Sequence, residues 1–194
     1  LVVYEKTDFT PRPQNQRLYS WNPDYEYRYT DVFPSFSTGG RLTVTGLSAT
    51  LANPQTPIST MNADGSGYQQ VFHDSSGAAM MSSWSPDGDR LVFGFGGFFG
   101  GRNARPAKLM TINADGSDPR DLTENLPNAG FPDWSPDGRW IIYTADDGGQ
   151  TIQLEIVDVE SGESHPLTAD SSIYTDPVFS PDGTRVAYVS TRPN

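Results

Sequence analysis

Apolar and polar positions fall along this chain in short runs, and one run returns four times. The segments "RLTVTG", "RLVFGF", "RWIIYTA" and "RVAYVS" each follow a turn and begin with Arg. Each then carries β-branched, aromatic and other apolar residues, the content of a buried strand. Shortly before each stands an aromatic: Phe36, Trp84, Trp134 and Phe179, spaced by 48, 50 and 45 residues. After each comes a connection of variable length, then a strand ending in a polar turn ("ISTMNADGS", "LMTINADGS"; "LEIVDVESG"). A short last strand closes the unit ("YQQVFHD", "PRDLTEN", "SHPLTAD"). The segments "LYSWNPD" and "YEYRYTD" continue the pattern upstream. No Ala- or Leu-rich stretch has helical spacing.

The link between aromatic and strand is a turn, written "WSPDG" twice and "FSPDG" once. The aromatic is large enough to fill the space between neighbouring sheets. Pro fixes φ, Asp accepts from nearby backbone N–H groups, and Gly takes the left-handed position. Four strands in about 45 residues cannot hide both of their faces, so such units must stack on their like, and radial stacking makes a β-propeller. The predicted fold is therefore all-β: a β-propeller of four-stranded antiparallel blades, about four repeats of it, forming a single propeller domain or partial propeller over residues 1–194. The pattern opens and closes in a second strand ("LVVYEK", "RVAYVS"), giving about seventeen strands. The expectation is part of a larger propeller with bare edge strands prone to self-association; a closed four-blade ring is the alternative. The repeat also varies. The unit at Phe36 has Thr-Gly-Gly for Pro-Asp-Gly, and the unit at Trp84 lacks the Pro found at Pro34, Pro132 and Pro177.

Composition supports this and removes several activities. Gly (19) and Pro (16) are abundant, as turns between many strands require. Thirteen basic residues scattered among 24 acidic ones, for a net charge of −11, offer no phosphate-binding patch, so nucleic acid is not an expected partner. With no Cys there is neither disulfide nor thiol chemistry. No apolar run reaches the length of a membrane span. Gly-x-Ser-x-Gly does not occur, nor a Walker or Rossmann fingerprint. The two histidines, His73 and His165, sit on outer strands with no second His at ligand spacing. The "NADGS" turns (Asn62–Ser66, Asn113–Ser117) lack the further carboxylates of a calcium loop and read as Asp-Gly hairpins. The cluster Ala145-Asp146-Asp147-Gly148 reads as solvated turn carboxylates. No metal, cofactor or catalytic residue is expected.

The units "PDWSPDGRWIIYTADD" and "LMTINADGSDPRDLT" resemble the WD40-like repeats of TolB-type propellers, over essentially the whole chain. Related propellers precede the catalytic domain in prolyl-oligopeptidase-type peptidases and some amidohydrolases. The resemblance implies a non-catalytic scaffold that binds a protein or peptide, in the periplasm or outside the cell. The alternative is a propeller accessory domain of a larger peptidase or amidohydrolase. A stand-alone enzyme acting on carbohydrate is disfavoured by the shortage of His.

Strand alternation says which side would bind. Turns between first and second strands, and between third and fourth, share one edge and are tight ("SPDG", "NADGS", "ESG"). The other edge carries the long connections "KTDFTPRPQNQ", "GLSATLANPQTP" and "GGFFGGRNARPA", and long loops on a rigid scaffold are where binding concentrates. In the last of these, Phe98 and Phe99 stand between glycine pairs with Arg102 and Arg105 just beyond, an aromatic anchor with charged flanks; the alternative is one ring tucked under the loop. Phe33, Met81, Phe131 and Asp176, three positions before each aromatic, are the second candidate set, at the mouth of the central channel. Plain channel packing is the competing reading.

Overall fold

The computed structural model describes residues 30–47, 56–96, 107–123, 128–146 and 151–191, and every regular element among them is a β-strand. The first sheet runs β1 (Thr30–Phe36), β2 (Arg41–Leu47), β3 (Ile58–Asn62), β4 (Gln69–Phe72). The second runs β5 (Ala78–Trp84), β6 (Arg90–Gly96), β7 (Lys108–Asn113), β8 (Arg120–Asp121). The third runs β9 (Asn128–Trp134), β10 (Trp140–Asp146), β11 (Ile152–Asp158), β12 (Ser164–Pro166), and the fourth holds β13 (Tyr174–Phe179) and β14 (Val186–Ser190). Strands pair in sequence order within each sheet, antiparallel throughout. Each first strand ends on the repeat aromatic.

The sheets bury one another in succession. β5 lies against β1, β2 and β3; β9 against β5, β6 and β7; β13 against β9, β10 and β11. A hydrophobic core forms at each of the first two junctions. Ile58 and Val71 of the first sheet meet Trp84, Leu91, Phe93 and Met110 of the second. On the other face of the second sheet, Val92 and Leu109 meet Trp134, Ile141, Tyr143 and Val157. Because β6 alternates Leu91, Val92, Phe93 between two neighbours, all three are fully buried, and each such apolar side chain contributes about 1.5–3 kcal/mol. The fourth sheet makes no comparable contact with the first among the described residues, so the described array is open.

The turn edge is built as the sequence predicts. Gly40, Gly88, Gly138 and Gly183 donate their N–H to the carbonyls of Ser37, Ser85, Ser135 and Ser180 at 2.8–3.0 Å. All four take φ between +68° and +77°, the region glycine enters at no steric cost. In three of these turns the Asp carboxylate (Asp87, Asp137, Asp182) accepts from the serine hydroxyl and from a backbone amide. The first repeat makes the same turn without an Asp, its Ser37 Oγ accepting Arg41 N–H at 2.9 Å. Gly116 has a second constraint. A Cβ there would stand 2.9 Å from the Val71 carbonyl oxygen of the preceding sheet.

Arginine then staples the sheets together. Arg41 lies over the Trp84 ring (5.4 Å) and Arg90 over Trp134 (4.9 Å), each reaching the aromatic of the next repeat, as a guanidinium on an indole face should. In the third repeat Trp140 occupies that place and Arg139 stacks on it instead (4.7 Å).

Candidate partner-binding face and channel mouth

The first strands face one another across successive sheets, so they lie innermost in the described array. The four candidates Phe33, Met81, Phe131 and Asp176 sit mid-way along them, and they share a conformation that the sequence reading did not anticipate. All four have positive φ: 53°, 62°, 49° and 53°. Each lies at a register shift. Val32 pairs Thr45 but Ser35 pairs Thr43; Met80 pairs Gly94 but Ser83 pairs Val92. Gly130 pairs Thr144 but Asp133 pairs Ile142; Thr175 pairs Val189 but Val178 pairs Ala187. Two residues of the first strand thus oppose one of the second, which is a β-bulge. Its first residue is left-handed without being glycine, a state costing of order 1–3 kcal/mol that persists only where the surroundings enforce it.

The second bulge residue explains the sequence variation. It is Pro34, Ser82, Pro132 or Pro177. Proline inside a strand is confined to edges and bulges because it has no N–H for the ladder. Ser82 replaces it in the second repeat, with its Oγ 3.2 Å from Thr43 Oγ1 of the first sheet. The bulge leaves Phe33 39% exposed, Met81 and Phe131 half-buried and Asp176 exposed. They occupy one position on four successive inner strands. The other candidates, Phe98, Phe99, Arg102 and Arg105, lie outside the described residues.

The titratable groups among the described residues divide by surroundings. Asp64, Asp74, Asp87, Asp115, Asp137, Asp158 and Asp182 are all held below the ordinary carboxylate range by hydrogen bonds, mostly from their own turns. Tyr143 goes the other way: burial first, then the Glu155 carboxylate 2.5 Å from its hydroxyl, push the phenol well above its usual value. It sits in the core between the second and third sheets and plugs that junction. His73 follows β4 and His165 lies in β12, both exposed and in different sheets. No group of three or more His, Cys, Asp or Glu among the described residues is disposed to hold a metal ion.

A residue that sequence reasoning passed over is Asp133, half-buried in β9 one place before Trp134. Burial raises its carboxyl, while the Phe179 amide, the Ser83 hydroxyl and the Trp134 amide pull it back. The signal was present: the corresponding residues are Ser35, Ser83 and Val178, so Asp133 is the one ionisable side chain in that column.

Four-stranded sheets stacked in series, each first strand inward and ending on an interlocking aromatic, define a β-propeller. The chain belongs to the TolB beta propeller domain family, which it matches over residues 25–194. It is 30% identical over 135 residues to the uncharacterized peptidase YuxL of Bacillus subtilis, covering 52% of this chain and 20% of that protein. It is 30% identical over 87 residues to the Tol-Pal system protein TolB of Francisella tularensis, covering 44% and 20%. The chain thus spans about a fifth of the length of these curated relatives. The crystal structure of TolB from Acinetobacter baumannii superposes with a TM-score of 0.67 at 19% identity, over 85% of this chain and 38% of that one. That likeness is one of fold.

Proposed function

We propose that this chain is a non-catalytic propeller scaffold that binds a protein or peptide through its long-loop face and channel mouth. The observation that carries this reading is the fourfold bulge. A chain that holds Phe33, Met81, Phe131 and Asp176 in a strained backbone on its innermost strands presents an arc of three apolar groups and one acid. Tight hydrogen-bonded turns fill the opposite edge and leave little room there for a partner. The resemblance to TolB supports a protein partner and a periplasmic or extracellular setting. Nothing in the composition favours nucleic acid, and no helix among the described residues is long and apolar enough to cross a membrane.

The similarity to a peptidase from Bacillus subtilis favours a second reading, an accessory propeller of a larger hydrolase. The two separate experimentally. Replacing Met81 and Phe131 together by Gly removes the side chains and relaxes the left-handed backbone. If the scaffold reading holds, partner capture from a periplasmic extract disappears while the melting temperature stays within a few degrees. Unchanged capture by this variant overturns it. A hydrolase domain in the same reading frame beyond Asn194 establishes the accessory reading instead.

A further inference from the structure

The residue just before the repeat aromatic forms ties between neighbouring sheets. In the first repeat the Ser35 carbonyl accepts the Trp84 Nε1–H at 3.1 Å. In the second, Ser83 Oγ–H donates to Asp133 Oδ1 at 3.2 Å. In the third, Asp133 Oδ2 accepts the Phe179 backbone N–H at 2.7 Å. Val178 ends the series with no polar side-chain atom to offer. Asp133 therefore touches the sheets on both sides of its own, and its bond to β13 is short and charge-assisted, the strong kind.

That bond falls where other support is thin. The described fourth sheet has two strands, and Val178, Tyr188 and Val189 are among its exposed apolar residues. Phe179 follows the bulge residues Asp176 and Pro177 by two to three positions. A fixed acceptor on the Phe179 amide pins the strand just after the bulge and so sets where Asp176 points.

We infer that Asp133 is a positioning residue, its carboxylate clasping β13 to the third sheet and fixing the bulge that presents Asp176 at the channel mouth. The role of Asp176 rests on the binding reading above; the clasp itself does not. Around the carboxylate, β5 contributes Ser83, β13 the Phe179 amide and β9 the Trp134 amide. The charged residues on the neighbouring strands are Arg90 of β6, engaged with the Trp134 ring, Lys108 of β7, Asp146 of β10, Glu155 and Asp158 of β11 and Asp176 of β13. Burial and the three hydrogen bonds are what set the direction of the Asp133 shift.

The test is amide NMR on the full chain, which needs no partner. In the wild type the Phe179 amide proton is expected to shift with pH, with a midpoint above the ordinary aspartate value of 3.8. In Asp133→Ala its hydrogen exchange should quicken by roughly tenfold or more, since a half-buried donor loses its acceptor. Asp133→Asn keeps a carbonyl oxygen for the same N–H and should restore most of the protection while abolishing the titration. A Phe179 amide that ignores pH through the carboxylate range overturns the clasp, and so does equal exchange in wild type and Asp133→Ala. The wild-type titration stands even if Asp133→Ala does not fold. An intact Phe179 signature alongside failed partner capture would count against the binding reading and leave the clasp in place.

Discussion

Tyr143 and Tyr188 occupy the same place in successive repeats, each opposite the bulge in the second strand of its sheet, yet the first is fully buried and the second is 49% exposed. The aromatics that end the first strands diverge in the same way. Trp84 and Trp134 are 6% and 5% exposed, whereas Phe36, with no described sheet before it, is 57% exposed. Each pair holds one place in the repeat, but Tyr143 lies in a sheet of four strands and Tyr188 in a described sheet of two, while Phe36 has no described sheet before it. In a stacked array burial depends on the strands of a residue's own sheet as well as on the sheet beside it, so stability is shared between adjacent repeats.

The comparison is broken most directly at a filled junction. Trp134→Ala removes the ring that joins the second and third sheets and carries Arg90; a loss of about 3–5 kcal/mol is expected in urea unfolding. Phe36→Ala, the corresponding truncation at a ring already 57% exposed, should cost well under half of that, and equal losses would show that burial is not what these rings contribute. Next comes Gly116→Ala, which places a Cβ 2.9 Å from the Val71 carbonyl at φ +88°; a loss of about 1–3 kcal/mol is expected. No such contact exists at Gly40, in the turn between β1 and β2, where nothing lies within 4 Å and only the turn's own strain applies.

Acid should loosen the turn edge more gently. Seven carboxylates have folded pKa values below the ordinary 3.8, Asp182 at about 2. Their contribution is present above the unfolded value and is lost as pH falls through the folded ones. Asp133, raised by burial, has the opposite sign and opposes this loss. With seven groups against one, the melting temperature should decline as pH drops from about 4 toward 2; a flat or rising profile would contradict these turn bonds. The smallest effect is expected at the open face. Val189→Ser, at a residue 60% exposed, should change stability by no more than about 0.5 kcal/mol.

Most of the fold is legible in the residues. Aromatic, Ser-Pro-Asp-Gly turn and apolar strand specify a local hairpin, and their recurrence at blade spacing specifies the stacking. Even the "FSTGG" repeat makes the same turn, because its Ser37 and Gly40 supply the essential hydrogen bond. The bulges were legible in principle from Pro34, Pro132 and Pro177, which fall within strands that proline would otherwise interrupt. That their preceding residues are left-handed could not be read, since Phe, Met and Asp share no local preference for that region strong enough to reveal it. Asp133 escaped for another reason. Its meaning depends on Ser83 and Phe179, 50 and 46 residues away, and on a distance no spacing rule supplies. The loop set of Phe98, Phe99, Arg102 and Arg105 stays an expectation from sequence.

The stabilisation of each sheet by the sheets on either side can be read most directly from native-state hydrogen exchange followed strand by strand. Exchange should be slowest in β6, β7, β10 and β11, whose sheets are covered on both faces, and markedly faster in β14 at the end of the described array. Exchange in β14 as slow as in β10 would contradict it.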